Sequence, residues 1–427
     1  MRRRLVLIHR WAGLGTAVFL AVAGLTGSIL AFHEEVEALL NPAWFVALPP
    51  AGDATQPFID PFLLRDKVES LYPQAQVQHV SFPSAGKSQM FYLSPRYDFK
   101  KDQPSLLGVN QVFLNPYTGA LLGAREWGVL VSKGQFHREN IVPFILRLHM
   151  AFALPHPYGQ VLMGTVALIW TVDCFVGLAL TLPVRRPWLW QWRIAWLIKF
   201  TASIHRLNFD IHRSLGLWCW IVLLLFAWSS VMLNLGEQVY KPVMSPILTF
   251  DERLRSAPRL HPLTNPIEQP RLTWQVAYRQ AKHALHVASV RHGFSIQAED
   301  SFWYRPAMGA YLYRTRTTLD QSDHGAATNI WIDGMTGNIL REDYPGHGLS
   351  GDIISKWLRV LHTGAVFGLA YRVIIVILGV VVAILSITGI VLWWKKRQVR
   401  RFVQLRRKSH DQDSIESTES TESISHG

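Results

Sequence analysis

Six histidines stand beside long apolar runs of this sequence: His9, His33, His149, His205, His212 and His362. A neutral imidazole is a good ligand for haem iron and for copper, and a polar side chain at membrane depth is costly enough that function is its default explanation. Four of the six recur in pairs. His9-Arg10-Trp11-Ala12-Gly13-Leu14-Gly15 is matched 203 residues later by His212-Arg213-Ser214-Leu215-Gly216-Leu217-Trp218, and Arg147-Leu148-His149-Met150 is matched 213 residues later by Arg359-Val360-Leu361-His362-Thr363. Facing one another across a pseudo-two-fold bundle, His9 with His212 and His149 with His362 would make two bis-histidine sites, one near each membrane face. No Cys-x-x-Cys-His is present, so a haem held there would be b-type and not covalently attached.

His33 and His205 have no partner in the other half, since His33 maps onto Gly236, and either could displace a symmetric ligand. His33 is 24 residues from His9, about 36 Å along a straight helix. It is therefore an alternative to His149 or His362 and not to the first pair. Haem propionates want cations, for which Arg10 and Arg213 suit one site and Arg147, Arg359 and Arg372 the other. Gly13 and Gly216, with Gly24 and Gly27, would leave room for a porphyrin against a helix or, equally, for close helix packing. Asp173, alone inside an apolar run, reads either as a proton relay or as a hydrogen-bonded packing residue.

The elements that must position these residues follow from a tandem duplication. Between the paired runs lie polar segments carrying Val112-Phe113-Leu114-Asn115-Pro116-Tyr117-Thr118-Gly119 and, 218 residues later, Ile330-Trp331-Ile332-Asp333-Gly334-Met335-Thr336-Gly337. Four stretches are long and apolar enough to span a bilayer: Trp11 to His33, Met150 to Val184 apart from Asp173, Ser214 to Gly236, and Val373 to Trp394. The expected order is a first transmembrane helix in 1–40, a polar module in 45–140, a second helix in 141–186, an interfacial link in 187–204, a third helix in 205–236, a second module in 240–355, a fourth helix in 356–397 and a basic, then disordered, tail in 398–427.

Each module reads as α+β. The first has a helix at Pro61 to Leu71 and strands at Gln76 to Phe82 and Gln89 to Leu93. The second has a helix at Trp274 to His286 and strands at Ala288 to Ile296, Ala310 to Thr315 and Asn329 to Ile332; in both, a Thr-Gly turn joins two strands. The net charge of +13 is concentrated at helix ends, which points to topology and anionic headgroups and away from nucleic acid. The positive-inside rule puts both termini and the central link in the cytoplasm and the modules in the periplasm. Cys174 and Cys219 fall inside apolar runs, where a disulfide is not expected.

The His-Arg-Trp-x-Gly-Leu start, the Thr-Gly-Ser-Ile-Leu-Ala-Phe-His-Glu-Glu exit of the first run, the two Leu-His elements and the Thr-Gly-Ile-Val-Leu-Trp-Trp end of the last run resemble the PepSY-associated transmembrane proteins of the bacterial inner membrane, over residues 5 to 397. That resemblance implies two PepSY-like periplasmic modules and two haem b groups. It also implies reduction of Fe(III) held by a hydroxamate-type siderophore, similar to the ferrioxamine reductases. The absence of a nucleotide-binding glycine fingerprint leaves the electron donor as a quinol or a cytoplasmic reductase. Trp303, Tyr304, Arg305, Tyr311 and Tyr313 are candidates for a chelate-binding surface, or else ordinary strand residues. The competing reading is a non-enzymatic scaffold or peptidase-regulating module with structural histidines.

Overall fold

The computed structural model describes residues 1–50, 56–98, 103–184, 187–251, 263 and 266–424. In chain order it comprises α1 (Arg2–Leu30), α2 (His33–Leu40), α3 (Pro61–Leu71), β1 (Ala75–Ser81), β2 (Gln89–Pro95), β3 (Gln111–Leu114), β4 (Leu121–Arg125), α4 (Ile141–Ala151) and α5 (Tyr158–Thr181). The second half adds α6 (Ile204–Trp218), α7 (Trp220–Asn234), α8 (Trp274–His292), β5 (Ile296–Arg305), β6 (Ala310–Thr317), β7 (Thr328–Asp333), β8 (Ile339–Asp343), α9 (Ser350–Thr363) and α10 (Gly368–Ile424). Two compact units result, and each draws on both halves: Met1–Leu25, Thr165–Trp228 and Ile377–Gly427 form one, Thr26–Gly164 and Ser229–Val376 the other.

Among the described residues three helices are long and apolar enough to cross a membrane, namely α1, α5 and the Gly368–Arg400 part of α10. A fourth crossing requires α6 and α7 together, and these are bent by 69°. The helix expected for the third span is thus interrupted at Cys219, with no proline in either part to announce it. The second span also starts later than expected. The helix carrying His149 ends at Phe152, where Phe152 and Ala153 take left-handed backbone (φ 52° and 58°), and α5 begins only at Tyr158. Pro155 and Pro157 lie in that gap and lack the N–H that helix continuation needs. Before α10, Gly364, Phe367 and Gly368 make the same kind of break, each with positive φ. The link after Pro187 is a short helix at Trp188–Trp192 followed by a 3-10 turn at Arg193–Trp196. The backbone of α10 stays helical to Ile424, into the stretch whose composition predicts disorder; its Glu, Gln, Lys and Arg content propagates a helix already nucleated upstream.

The polar segments do not form two separate modules. Their strands join in one antiparallel eight-stranded sheet, ordered β8-β7-β6-β5-β1-β2-β3-β4, and the seam is the pairing of His79, Val80 and Ser81 with Trp303, Phe302 and Ser301. The helix α3 starts where Asp60 caps the amides of Phe62 and Leu63 and Pro61 fills the first turn. The helix α8 starts at the Thr273 cap and runs six residues past the expected His286 to Gly293, whose φ of 69° stops it. Residues 288–292, expected as strand, are therefore helical. Both helices cover one sheet face: Phe62, Leu64 and Val68 from α3 and the Trp274, Ala277, Ala281, Ala284, Leu285, Ala288 stripe from α8 share one core with Phe91, Val112, Phe302, Tyr311 and Ile330. The hairpins at Thr118-Gly119 and Thr336-Gly337 form as expected, between β3 and β4 and between β7 and β8.

Phe302 is fully buried at this seam and meets Phe62, Trp274, Tyr278, Tyr311 and Tyr313. Truncating such a ring leaves a cavity among partners drawn from both halves, so Phe302→Ala should cost about 3–5 kcal/mol. Thermal unfolding in detergent should register that loss, and a midpoint equal to the unsubstituted protein's would show that the two halves do not fold as one sheet.

Candidate functional site

In the first unit, α1 carries His9 and α6 carries His212, and the two rings face each other with centroids 6.0 Å apart and planes inclined by 58°. A second helix holds each ring by Nδ1. His9 Nδ1 donates to Asp173 Oδ1 of α5 at 2.9 Å. His212 Nδ1 donates to the Leu385 carbonyl at 3.1 Å and to the Thr388 hydroxyl oxygen at 2.9 Å, both on α10. A carbonyl can only accept, so the proton of His212 sits on Nδ1. Glycines floor both rings. A methyl group at Gly177 would lie 3.6 Å from His9 Cε1, and one at Gly389 would lie 3.3 Å from His212 Cε1.

The second unit repeats the arrangement. His149 of α4 and His362 of α9 face each other with centroids 6.3 Å apart and planes inclined by 53°. The Thr26 hydroxyl meets His149 Nδ1 at 3.1 Å, and the Ser229 hydroxyl meets His362 Nδ1 at 2.8 Å. A methyl group at Gly27 would sit 3.1 Å from the His149 ring. Thr26 and Ser229 are separated by the same 203 residues as His9 and His212, so comparing the halves position by position would have found them. Gly177 and Gly389 were equally within reach, 212 residues apart. Among the described residues no three His, Cys, Asp or Glu side chains are grouped to hold a metal ion. Each site is a pair.

The unmatched histidines join neither pair. His33 is exposed at the start of α2, its Nδ1 turned to the Leu30 carbonyl at 3.1 Å, and His205 is exposed in the first turn of α6. Of the glycines expected to leave a groove, Gly13 faces open space, Gly27 lies under the His149 ring and Gly216 makes an ordinary contact with Leu385; Gly24 instead lets its helix close on the Gly379 carbonyl and Val382.

Three of the five arginines are already engaged. Arg213 binds Asp210 at 2.9 Å and the carbonyls of Ile194, Ala195 and Leu197, tying the Arg193–Trp196 turn to α6. Arg372 is buried, grips both oxygens of Glu35 at 2.7 and 2.6 Å, donates to the Ala31 carbonyl and lies 4.2 Å over the Phe32 ring. Arg147 donates to the Gly128 carbonyl at 2.8 Å. Arg10 and Arg359 remain: Arg10 has a buried Nε without a hydrogen-bond partner, and Arg359 is exposed with no ion pair among the described residues.

The five residues suggested for a chelate surface split by strand alternation. Tyr304, Tyr311 and Tyr313 point into the core, with hydroxyls donating to Ile267 O, Leu272 O and Glu299. Trp303 and Arg305 point to the opposite face, the guanidinium 4.2 Å over the indole. There Trp303 continues a cross-strand row with Trp331, Leu312, His79 and Tyr92. His79 is buried in that row, and burial, followed by the charges of Arg314 and Arg305, pushes its imidazole down to about 3, so it is neutral at ordinary pH.

Among families of known proteins, the PepSY-associated TM region matches residues 6–396, nearly the whole chain. No curated protein matches it.

The Glu35–Arg372 pair carries a testable pH dependence. The Arg372 guanidinium holds the Glu35 carboxyl at about 2, below its ordinary 4.5. A carboxylate depressed in the folded state contributes stability that is present above its unfolded value and lost as pH falls through the folded one. Because Glu35 is half exposed, solvent screens much of the gain. Glu35→Gln should therefore lower the melting temperature modestly at pH 7, with the gap closing as the pH falls from 4.5 to about 2. A gap that is constant across that window would contradict this assignment.

Proposed function

The chain belongs to the PepSY-associated transmembrane-region family, and from that premise we propose that it is a dihaem b oxidoreductase of the bacterial inner membrane that reduces siderophore-bound Fe(III) at the periplasmic face and releases Fe(II). The observation that carries this reading is the pair of facing imidazole couples, with ring centroids 6.0 and 6.3 Å apart. Imidazoles so spaced would leave room between them for a metal ion bonded at about 2 Å to a nitrogen of each ring. In every one of the four rings Nδ1 is hydrogen-bonded to a group on a neighbouring helix, the device that orients metal-binding imidazoles.

His9 and His212 would hold one haem, His149 and His362 the other. Gly177, Gly389 and Gly27 keep side chains off the rings, and the unsatisfied buried Nε of Arg10 suits a propionate near the first pair. Haem so bound supplies a one-electron Fe(III)/Fe(II) couple. The chain's own tasks are to fix the imidazoles, to exclude side chains and water from between them, and to present a ferric chelate near the second pair. Each Fe(III) of substrate takes one electron, drawn from a quinol or from a cytoplasmic reductase. Hydroxamate oxygens are hard ligands that hold Fe(III) far better than Fe(II), so reduction is a route to release. Trp303 and Arg305, half-buried on the sheet face opposite the core, are the part of the suggested chelate surface that a bulky polar ligand could meet without desolvation in the span. Basic residues at the N-terminus and in 395–408 support cytoplasmic termini and a periplasmic sheet.

Separate substitution of the two couples tests the reading. His212→Ala is expected to remove one haem and leave the other, His362→Ala to do the converse, and each should stop reduction of a ferric trihydroxamate presented from the periplasmic side of oriented vesicles. Folded variants that lose neither haem, or reduction that proceeds only from the cytoplasmic side, would refute it. A scaffold with structural histidines gives no such spectral loss.

A further inference from the structure

The four imidazoles are held through Nδ1 by different groups, and among the described hydrogen bonds the one to His9 is to a carboxylate. His149 and His362 meet the hydroxyls of Thr26 and Ser229, and His212 meets a carbonyl and a hydroxyl, whereas His9 donates to Asp173 Oδ1 at 2.9 Å. The duplication sharpens the contrast. With Gly177 and Gly389 aligned, Asp173 falls on Leu385, so the same place in the repeat holds the histidine through a side-chain carboxylate in one half and through a main-chain carbonyl in the other. Asp173 is the only Asp, Glu, Lys or Arg between Tyr158 and Thr181. Its side chain is 13% exposed, and among the described residues its ion-pair partner is His9.

A carboxylate inside an apolar span persists where a partner or a nearby cation offsets its desolvation. A neutral imidazole offsets little by itself. An imidazole whose other nitrogen binds iron offsets more, because the positive charge reaches the carboxylate through the ring. The influence is mutual: hydrogen bonding to a carboxylate raises the ligand's basicity, and a fixed negative charge favours the more positive oxidation state of the metal.

We propose that Asp173 is a positioning residue that lowers the reduction potential of the haem held by His9 and His212 below that of the haem held by His149 and His362. The inference rests on the reading that both couples hold haem. Its consequence is a built-in direction, since an electron is then favoured to pass from the first couple, which has the carboxylate, to the second, which has hydroxyls, and from there to the ferric substrate.

Spectroelectrochemical titration of the full-length protein tests this. Asp173→Asn keeps an oxygen that can accept from His9 Nδ1 and removes the charge, so a purely structural role would leave the potential where it was. The expected result is an upward shift of one midpoint, that of the haem lost in His212→Ala, with the other unchanged and a shifted low-spin electron paramagnetic resonance signal from the same haem. An unmoved midpoint, or a shift confined to the other haem, would overturn the proposal. If Asp173→Asn sheds its haem, Asp173→Glu decides: retention of that haem at the low potential is expected, and a rise or a loss overturns the charge role. Absence of haem from the unsubstituted protein would instead overturn the underlying reading, which separates the two failures.

Discussion

An imidazole set among apolar helices must have its polar nitrogens satisfied from within the protein, because lipid offers no partner. That requirement organises this molecule. Each of the four paired rings is hydrogen-bonded through Nδ1 to a group on another helix: Asp173, Leu385 with Thr388, Thr26 and Ser229. Three rings ride on helices that stop short of the apolar ones following them, with breaks at Phe152, Cys219 and Gly364. A break lets a histidine be aimed independently of the span. His9 alone belongs to a continuous apolar helix, and it is also the ring whose partner is a carboxylate.

The same economy shows in what the arginines do. Arg213 and Arg372 look alike in the sequence, each near a repeated histidine or a helix end, yet both are spent on holding turns and helix ends together through Asp210 and Glu35. Buried guanidinium groups need several acceptors at once, and nearby carbonyls such as Ala195 O and Ala31 O provide them. Arg10, with a buried nitrogen lacking such acceptors, stands apart for that reason.

What could be read in advance was what short-range chemistry decides. The Asp60-Pro61 cap and apolar spacing fix α3, the Thr-Gly turns fix two hairpins, and the recurrence of His9 at His212 and of His149 at His362 marks both couples. What escaped depends on partners distant in sequence. The pairing of His79 with Trp303 merges two expected modules into one sheet, and nothing local to either strand announces it. Tyr304 and Tyr311 share an aromatic type with Trp303, but alternation along each strand sends neighbours to opposite faces. His33 and His205 share the residue type of the ligands but not their repeat positions, and they end exposed.

Haem stoichiometry tests most directly whether the paired imidazoles are haem ligands. Protein purified from cells supplied with haem should show a Soret band and, by pyridine haemochrome, two b-type haems per chain, both low-spin as two strong nitrogen ligands dictate. Substantially less than one haem per chain under those conditions would contradict the account.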